Sequence, residues 1–354
     1  MGRSEIALEK PTDVQLKPPP SRDLRRIVPG LVISAICLGA VLYFADLRRL
    51  LEALRQADMT MVLLGVLTSL LWLLVRTMLW RTLLMERAPL GATFYTLNEG
   101  YLINNLLPLR LGEIARAFLL SRKTDLKFWE VFSSILIERS MDLAMAVGVL
   151  LVSLPFVVGG SWAQGAALAG GSIVVIMFVV LYLLARNQER ALHYFRWAGE
   201  RLPLLTRIAG RAVPEFISGL TVLTQGTYFF KAVGWLLLNW LIAIFQYYVI
   251  LRAYFPNVHL LWATFGLGVS ALGVAAPSSP GAVGVMELSV VGALSVFGLD
   301  ASIALAVALT LHLLTYLITG VIGGYALFRD GESLVGVYNR VRRMKDDETK
   351  EGAG

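Results

Sequence analysis

Residues 143–185 run for 43 positions without a charged side chain. An α-helix rises about 1.5 Å per residue, so ~20 apolar residues cross the hydrocarbon core of a bilayer. The stretch is long enough for two crossings, and the sequence GGSWAQG at 159–165 is the expected turn between them. Because a backbone in lipid must satisfy its own hydrogen bonds, such runs predict membrane-spanning helices.

Further apolar runs of spanning length lie at 27–45, 61–80, 232–251 and 301–328. The chain is 56% hydrophobic and 16% charged, which is more apolar than soluble domains are. Its one cysteine, Cys37, rules out a disulfide framework. We expect an all-α polytopic membrane protein with about six full transmembrane helices plus two re-entrant helical hairpins, arranged as an inverted repeat.

Basic residues set the expected orientation, because Lys and Arg accumulate in cytoplasmic loops. Segment 186–231 contains seven Lys/Arg and is expected to form amphipathic helices on the cytoplasmic surface. Residues 1–26 are expected to be a disordered cytoplasmic tail, 27–328 the transmembrane domain and 329–354 a second cytoplasmic tail. The predicted location is the plasma (inner) membrane, with both termini in the cytoplasm.

Two segments, 94–121 and 259–297, are interrupted where clean spans would be expected. The first contains PLRLGE at 108–113 and the second PGAVGVME at 280–287, so each places Pro, Gly and Glu before an apolar helix. The Lys/Arg bias requires them to enter from opposite faces, which is typical of inverted-repeat transporters with a midplane site. The residues expected to shape these hairpins are Asn104, Asn105, Pro108, Gly112, Pro280, Gly281 and Gly284.

The break in the second hairpin predicts a helix end inside the membrane. Ser279 can cap a helix and Pro280 can occupy its first position. A half-helix from Gly281 would then point free N–H groups into the membrane, which is an anion site. The alternative is a Gly/Pro kink that serves only packing.

Several charged residues lie in or beside apolar segments, where insertion costs about 2.5–3.5 kcal/mol each. Arginine suits phosphate because it presents a planar fork of donors. We expect Arg110, Arg116 and Arg139 to bind a lipid phosphate while acids balance charge, contact a cationic headgroup or carry protons. The alternative is plain ion pairing of these arginines with the acids. The expected substrate-binding residues are Arg110, Glu113, Arg116, Glu138, Arg139, Asp142, Ser278, Ser279 and Glu287.

Other chemistries leave no pattern in the sequence. A phosphate loop, metal-ligand spacing and a recognised nucleophile are not evident, so we expect no ATP hydrolysis, metal, cofactor or catalytic residue. The net charge of +7 comes from basic residues beside apolar spans, which indicates anionic lipid rather than nucleic acid. His312 is expected to be a buried hydrogen-bonding residue rather than a proton carrier.

Three stretches resemble the membrane domain of the lysylphosphatidylglycerol synthetase/flippase family. They are NEGYLINNLLPLRLGEIARAFLL at 98–120, SSILIERSMDLA at 133–144 and AAPSSPGAVGVMELSVVGAL at 275–294. They occur in the family's order, and the resemblance covers about residues 27–328. Only a tail of about 25 residues follows Phe328, so the family's soluble aminoacyl-transfer domain is expected to be absent, and with it the synthetase activity.

The resemblance implies a flippase-like protein that moves a lipid between leaflets. The expected partners are an anionic or modified phospholipid, or a polyprenyl-phosphate-linked lipid, together with a lipid-modifying enzyme. Two alternatives stay open: an accessory subunit that recruits a synthase, and a membrane enzyme of lipid-linked glycan or phospholipid chemistry. The lipid, the direction of transport, the energy coupling and the oligomeric state do not follow from the sequence.

Overall fold

The computed structural model describes residues 21–107, 110–158, 163–201, 213–214, 217, 221–275, 279–334, 336–337 and 340. Within these ranges the chain is α-helical and contains no strand. The helices are α1 (Ser21–Phe44), α2 (Leu47–Gln56), α3 (Met59–Leu83), α4 (Leu90–Leu106), α5 (Leu111–Lys123), α6 (Phe128–Val158), α7 (Ala163–Arg186), α8 (Gln188–Arg201), α9 (Gly226–Tyr254), α10 (Leu260–Ala275), α11 (Val285–Ser295) and α12 (Ala301–Arg329). Single turns lie at Thr221–Thr224 and, as a 3₁₀ turn, at Pro280–Ala282.

Five helices of the described chain, α3, α6, α7, α9 and α12, are long and apolar enough to cross a membrane. Helix α1 is 24 residues long, and its described apolar part is Val32–Tyr43. The long uncharged run divides into α6 and α7 as predicted, while residues 159–162 between them lie outside the described chain. The protein is therefore an all-α polytopic membrane protein.

Parts of two segments that were predicted to lie outside the bilayer are helical. Residues 21–26, which their polar composition assigns to a disordered tail, form the first turns of α1. Arg and Leu are good helix formers, and this stretch continues directly into the apolar part of α1. In segment 186–231, residues 188–201 form α8. Its position on a membrane surface stays a prediction.

The first interrupted segment forms the helical hairpin α4–α5. The arms have 17 and 13 residues, or about 26 and 20 Å, which is shorter than a bilayer core. The arms cross closely, because a Cβ on Gly112 would lie 2.0 Å from the Gly100 carbonyl oxygen. Near the tip, the Asn104 side-chain oxygen accepts from the Gly112 N–H at 2.8 Å. Pro108, predicted to shape this tip, lies outside the described residues.

The second interrupted segment forms the hairpin α10–α11, and the predicted break near Pro280 is confirmed. The 3₁₀ turn contains Gly281 and Ala282 at φ +63° and +58°, and Gly284 follows at +84°. Positive φ is open to glycine but costs other L-residues about 1–2 kcal/mol. Because these torsions end the turn, the second arm begins at Val285, and the predicted half-helix start at Gly281 was wrong by four residues.

The packing of helices α3–α6 is repeated by helices α9–α12. Helix α3 packs along α9, the first arm of each hairpin packs against the other half (α4 on α12, α10 on α6), and each second arm packs on the long helix that follows it. This repeated packing is what an inverted repeat predicts. The re-entrant course of the hairpins and the opposite orientation of the two halves stay predictions.

Candidate functional site

A buried charge cluster joins α3, α5 and α6, and Glu138 stands at its centre. Its side chain is 0% exposed. Arg116 Nη2 donates to it at 2.9 Å and Arg139 Nη2 at 2.7 Å. Arg76 Nη2 donates to it from α3. A carboxylate that three guanidinium groups share is held by charge-assisted bonds on every side.

Two further acids complete the cluster at its open edge. Arg76 Nη1 donates to Asp142 at 2.8 Å, and Arg139 Nη2 lies 3.6 Å from the same carboxylate. Arg139 Nε lies 3.8 Å from Glu113 on the second arm of the first hairpin. Three arginines thus meet three carboxylates, so the cluster is electrically balanced without a ligand, as the ion-pairing alternative requires.

Arg116 departs from its predicted role as a phosphate ligand. Its side chain is 1% exposed, and the guanidinium lies 4.0 Å from the ring centre of Trp80 while it pairs with Glu138. A headgroup could reach this group only by breaking a fully desolvated ion pair. Its geometry is therefore that of an internal structural residue.

Arg76 was visible in the sequence as a charge inside a span, but it is missing from the predicted site. Its side chain is 3% exposed, and Asn239 of α9 accepts from it at 3.4 Å. Arg76 therefore ties the charge cluster to the second half of the molecule. Its partners lie 62 and 66 residues away in the chain, so no local pattern could reveal them.

The outer residues of the cluster stay accessible. The Arg139, Asp142 and Glu113 side chains are 32%, 21% and 18% exposed. They lie on α6 and on the second arm of the first hairpin, where Glu113 occupies the first turn. These three predicted ligands therefore remain partly exposed, although each already has a partner within the cluster.

Arg110 does not join the cluster. It lies at the tip of the first hairpin with φ +53°, is exposed, and donates from Nη2 to the Val274 carbonyl at 2.5 Å. Val274 lies at the end of α10, beside the tip of the second hairpin. The tips of the two hairpins therefore meet, and the 3₁₀ turn of the second also packs against α4 of the first.

The second hairpin has its own buried pair, Glu287 on α11 and His312 on α12. Glu287 Oε1 lies 2.5 Å from His312 Nδ1, while Oε2 accepts from the Gly284 N–H at 2.7 Å. His312 Nε2 lies 3.0 Å from the Gly281 carbonyl oxygen. The expectation that His312 is buried and hydrogen-bonded is confirmed, since it is 7% exposed and both ring nitrogens have partners. The expectation that it does not carry a proton stays a prediction.

The predicted anion site at this helix end is filled from within. The carboxylate of Glu287 occupies the N-terminus of α11 and caps its own helix. Ser279 is also bound internally, because its N–H donates to Ser34 Oγ at 3.0 Å and its hydroxyl to the Val283 carbonyl at 3.2 Å. Ser278 lies outside the described residues.

A second set of ion pairs closes the base of the first hairpin, and the predictions missed it. Lys123 at the end of α5 lies 2.7 Å from Glu99 and 2.5 Å from Asp330, just after α12. Partial burial opposes ionisation of Asp330, but hydrogen bonds from Lys123 and Arg329 outweigh it and hold its pKa below the usual value. These contacts fasten the hairpin to the last helix.

A cavity of about 180 Å³ lies between the two halves. Its described lining consists mainly of apolar side chains, with a few hydroxyl and amide groups, from Ser69, Trp72, Leu73, Ala243, Gln246, Tyr247, Leu267, Met286, Leu311, Thr315, Ile318 and Thr319. Asn105 of the first hairpin donates to Thr319 at 3.0 Å, and Met286 adjoins Glu287. The Arg76 guanidinium lies 5.8 Å from the Trp72 ring centre, so the cavity borders the charge cluster.

Comparisons with known proteins place this architecture in a family. A UPF0104 membrane protein of Methanothermobacter thermautotrophicus is 24% identical over 82% of this chain and 90% of its own length. A UPF0104 membrane protein of Methanocaldococcus jannaschii is 23% identical over 60% of this chain and 88% of its own. The glycosyltransferase AglD of Haloferax volcanii is 24% identical over 74% of this chain and 47% of its own. No solved structure matches.

The family model described as the lysylphosphatidylglycerol synthase TM region matches residues 27–323. This range covers the described helices from α1 to within α12 and includes both hairpins and the charge cluster. The resemblance that the hairpin and α6 sequences indicate is thereby confirmed. The chain belongs to the family of the lysylphosphatidylglycerol synthase transmembrane region.

Proposed function

We propose that this multi-pass membrane protein moves a lipid with a phosphate-bearing polar headgroup between leaflets without hydrolysing ATP. The observation that carries the proposal is the contact between the tips of the two hairpins, at Arg110 and Val274. Broken helices at membrane depth are tolerated where they are buried in protein or line a watery cavity, and transporters place substrate sites there.

Arg110 is the first phosphate ligand in this proposal. It is exposed, and its recorded partner is a neutral carbonyl, so no described carboxylate compensates its charge through an ion pair. Arg139 is the second ligand, because it is the most exposed arginine of the charge cluster. When a lipid phosphate binds Arg139, it would replace part of the contact of Arg139 with Asp142 and Glu113. These two acids could then also contact a cationic headgroup.

The cavity between the halves gives the headgroup its path in the proposal. Several of its polar groups already have partners, as in the Gln246 bond to Ser69 Oγ at 2.6 Å. It therefore offers a weakly polar passage rather than a tight trap. The acyl chains stay in the surrounding lipid while the headgroup passes the hairpin tips.

The finer assignments belong to the same proposal. The lipid is an anionic or modified phospholipid, or a polyprenyl-phosphate-linked lipid, and the membrane is the plasma membrane with both chain termini in the cytoplasm. Segment 186–231 supplies the argument for orientation through its seven Lys/Arg.

One comparison favours a second candidate function. The match to a protein named as a glycosyltransferase covers 47% of that protein, so this kind of membrane region occurs within a longer chain. Here the region would serve as an accessory subunit of a lipid-modifying synthase or lipid-linked glycan enzyme. An enzyme that co-purifies with the full chain, and whose activity needs it, would favour this candidate if the purified protein alone moves no lipid.

The test is transport of fluorescent phosphatidylglycerol in liposomes that contain the purified chain. We expect faster exchange between leaflets than in protein-free liposomes, and a loss of about tenfold in Arg110→Gln, the equivalent of ~1.4 kcal/mol of binding. Arg48→Gln is the matched control, because the Arg48 side chain is 90% exposed on α2. Exchange no faster than in empty liposomes, or equal rates in Arg110→Gln and wild type, would contradict the proposal.

A further inference from the structure

Each of the two ring nitrogens of His312 faces a hydrogen-bond acceptor. Nε2 faces the Gly281 carbonyl at 3.0 Å, and Nδ1 faces the Glu287 carboxylate at 2.5 Å. A carbonyl oxygen and an ionised carboxylate both accept and do not donate, so each contact needs a hydrogen on the ring nitrogen. A neutral imidazole carries only one such hydrogen, so in either tautomer one nitrogen presents its lone pair to an acceptor.

One more proton removes this conflict. With it, a hydrogen lies between Nε2 and the Gly281 carbonyl and another between Nδ1 and Oε1, whether the second is assigned to the imidazolium or to the carboxylic acid. The pair is buried, with Glu287 2% and His312 7% exposed, so water cannot relieve the repulsion cheaply. The geometry therefore favours a pair that holds one proton more than a neutral imidazole beside a carboxylate.

The same two side chains hold the tip of the second hairpin. His312 binds the carbonyl of Gly281, and Glu287 binds the N–H of Gly284, so the pair clamps both ends of the turn. Between them Ala282 has φ +58°, a conformation that an L-residue adopts only under constraint. Loss of the proton would separate the pair and remove the constraint on the turn.

The charged and titratable groups on the elements around the pair are few. Tyr316 stacks on His312 with ring centres 4.6 Å apart, and a Cβ on Gly281 would lie against its hydroxyl. Helix α10 has no titratable side chain, and α1 approaches the turn through Ser34 and Leu38. The remaining titratable or charged side chains of the first hairpin's tip and α4, and the one near the contact on α1, are Arg110, Tyr95, Glu99, Tyr101 and Cys37.

Among the described residues, none of these groups except Tyr316 has a contact shown with the pair. Arg110 keeps its charge but binds the Val274 carbonyl, and Glu99 is bound by Lys123 at 2.7 Å. The only cation in recorded contact with Glu287 is His312 itself. Among the described residues, the charge state of the pair thus depends on its own proton.

We propose that Glu287 and His312 form a proton-binding site that clamps the tip of the second hairpin, and that lipid movement is coupled to its protonation. The ligand is a proton, and no covalent bond between heavy atoms changes. The bound form holds the turn against the first hairpin, and the empty form frees it. The proposal rests on the proposed lipid transport for its second half, while the proton site itself stands on the geometry.

The proton site can be tested by nitrogen NMR of the full chain with ¹⁵N-labelled histidine. The chain has three histidines, and His312→Gln assigns the signal while His259→Gln, an exposed position, is the matched control. We expect hydrogens near both ring nitrogens of His312 at neutral pH, and loss of one in Glu287→Gln. A neutral single tautomer in the wild type throughout about pH 5–9 would overturn the proposal, whether or not the variants fold.

The coupling is tested in the same liposomes with fluorescent phosphatidylglycerol and an imposed pH gradient. One proton per lipid would change the leaflet distribution by up to about tenfold per pH unit. We expect His312→Gln to lose this response and His259→Gln to keep it. Lipid exchange that ignores the gradient in the wild type would overturn the coupling and leave lipid transport standing. Absence of any exchange would overturn lipid transport and the coupling, and the NMR result would still decide the proton site.

Discussion

Each hairpin is fastened to the long helix that follows it by a buried polar contact. In the first half, Arg116 on the second arm pairs with Glu138 on the following long helix at 2.9 Å. In the second half, Glu287 on the second arm meets His312 on the following long helix at 2.5 Å. The acid therefore lies on the long helix in the first contact and on the hairpin arm in the second.

The chemistry of the two contacts differs more than their geometry. Arginine keeps its proton in proteins, so the contact of the first hairpin is permanent. Histidine is the side chain whose ordinary pKa lies closest to neutral pH, so the contact of the second hairpin can be made and broken. The comparison suggests a test: the first hairpin should stay attached at every pH, whereas under the proposed proton site the attachment of the second should depend on pH.

The largest effect is expected at the centre of the fixed contact. Glu138→Gln leaves Arg76, Arg116 and Arg139 without their shared acid, which should cost about 3–5 kcal/mol of unfolding free energy. Thermal unfolding in detergent measures it, and Glu52→Gln, at 58% side-chain exposure, is the control. A loss in Glu287→Gln as large as in Glu138→Gln would break the distinction between the two hairpins.

A double change sharpens the same contrast. Arg139→Gln with Asp142→Asn removes a cation and an acid from the outer edge and leaves Arg76 and Arg116 on Glu138, so stability should return to within about 1 kcal/mol of wild type. Arg139→Gln with Glu138→Gln should stay destabilised, because two buried arginines lose their acid.

Phosphatidylglycerol exchange on the same variants decides the role of Arg139. We expect the stable pair, Arg139→Gln with Asp142→Asn, to remain slow in exchange, because it lacks a phosphate ligand. Full recovery of exchange in this variant would reduce Arg139 to an ion-pair partner and leave Arg110 as the proposed ligand.

Alanine substitutions of glycines near the two hairpin tips should lower the stability of the protein for different reasons. Gly112→Ala forces a Cβ to 2.0 Å from the Gly100 carbonyl oxygen, an overpacking that costs about 1–3 kcal/mol. Gly284→Ala meets the Ser34 carbonyl and also holds φ +84°, which adds about 1–2 kcal/mol of torsional cost. Gly292→Ala, with nothing within 4 Å of the added carbon, serves as the tolerated control in thermal unfolding. Unchanged stability in either tip variant would show that its hairpin is looser than described.

The smallest effect is expected where the long helix after the second hairpin begins. Burial opposes ionisation of Asp300, but N–H groups of Ile303 and Ser302 and the Arg49 guanidinium outweigh it and lower its pKa. Asp300→Ala should therefore cost about 1 kcal/mol at neutral pH. Helix α6, which follows the first hairpin, is capped differently at its start, because the Glu130 side chain accepts from the Lys127 N–H.

The pH dependence of this cap follows from the direction of the shift. The pKa of Asp300 is lower in the folded protein than in the unfolded chain, where it is about 4. Its contribution to stability is therefore complete above about pH 4, and it disappears as the pH falls through the pKa of the folded state. Stability curves of wild type and Asp300→Ala should converge in acid. A constant gap down to about pH 3 would show that the side chain acts without its charge.

The sequence was most informative where local backbone chemistry decides the structure. Pro280 and Gly284 mark the break in the second hairpin because one lacks an N–H and the other accepts positive φ. The division of the 43-residue run into α6 and α7 follows from length and glycine content in the same way. These features depend on neighbours in the chain and need no knowledge of packing.

The pairing of charges could not be predicted by the same means. Arg76 reaches Glu138 across 62 residues and Glu287 reaches His312 across 25, so each contact exists only after the helices have packed. Arg110 shows the converse. It lies three residues before Glu113 in sequence, yet it turns at φ +53° toward Val274 and leaves that acid to Arg139.

Helix α7 lies between the two groups of packed helices, and no described helix of the second group corresponds to it. If each hairpin returns the chain to the side on which it entered, α7 supplies the odd crossing that inverts the second group relative to the first. Under the proposed transport, the two leaflets would then face similar helix packing. A preferred direction would have to come from what differs between the groups, which is the arginine-held carboxylates of one and the single histidine contact of the other.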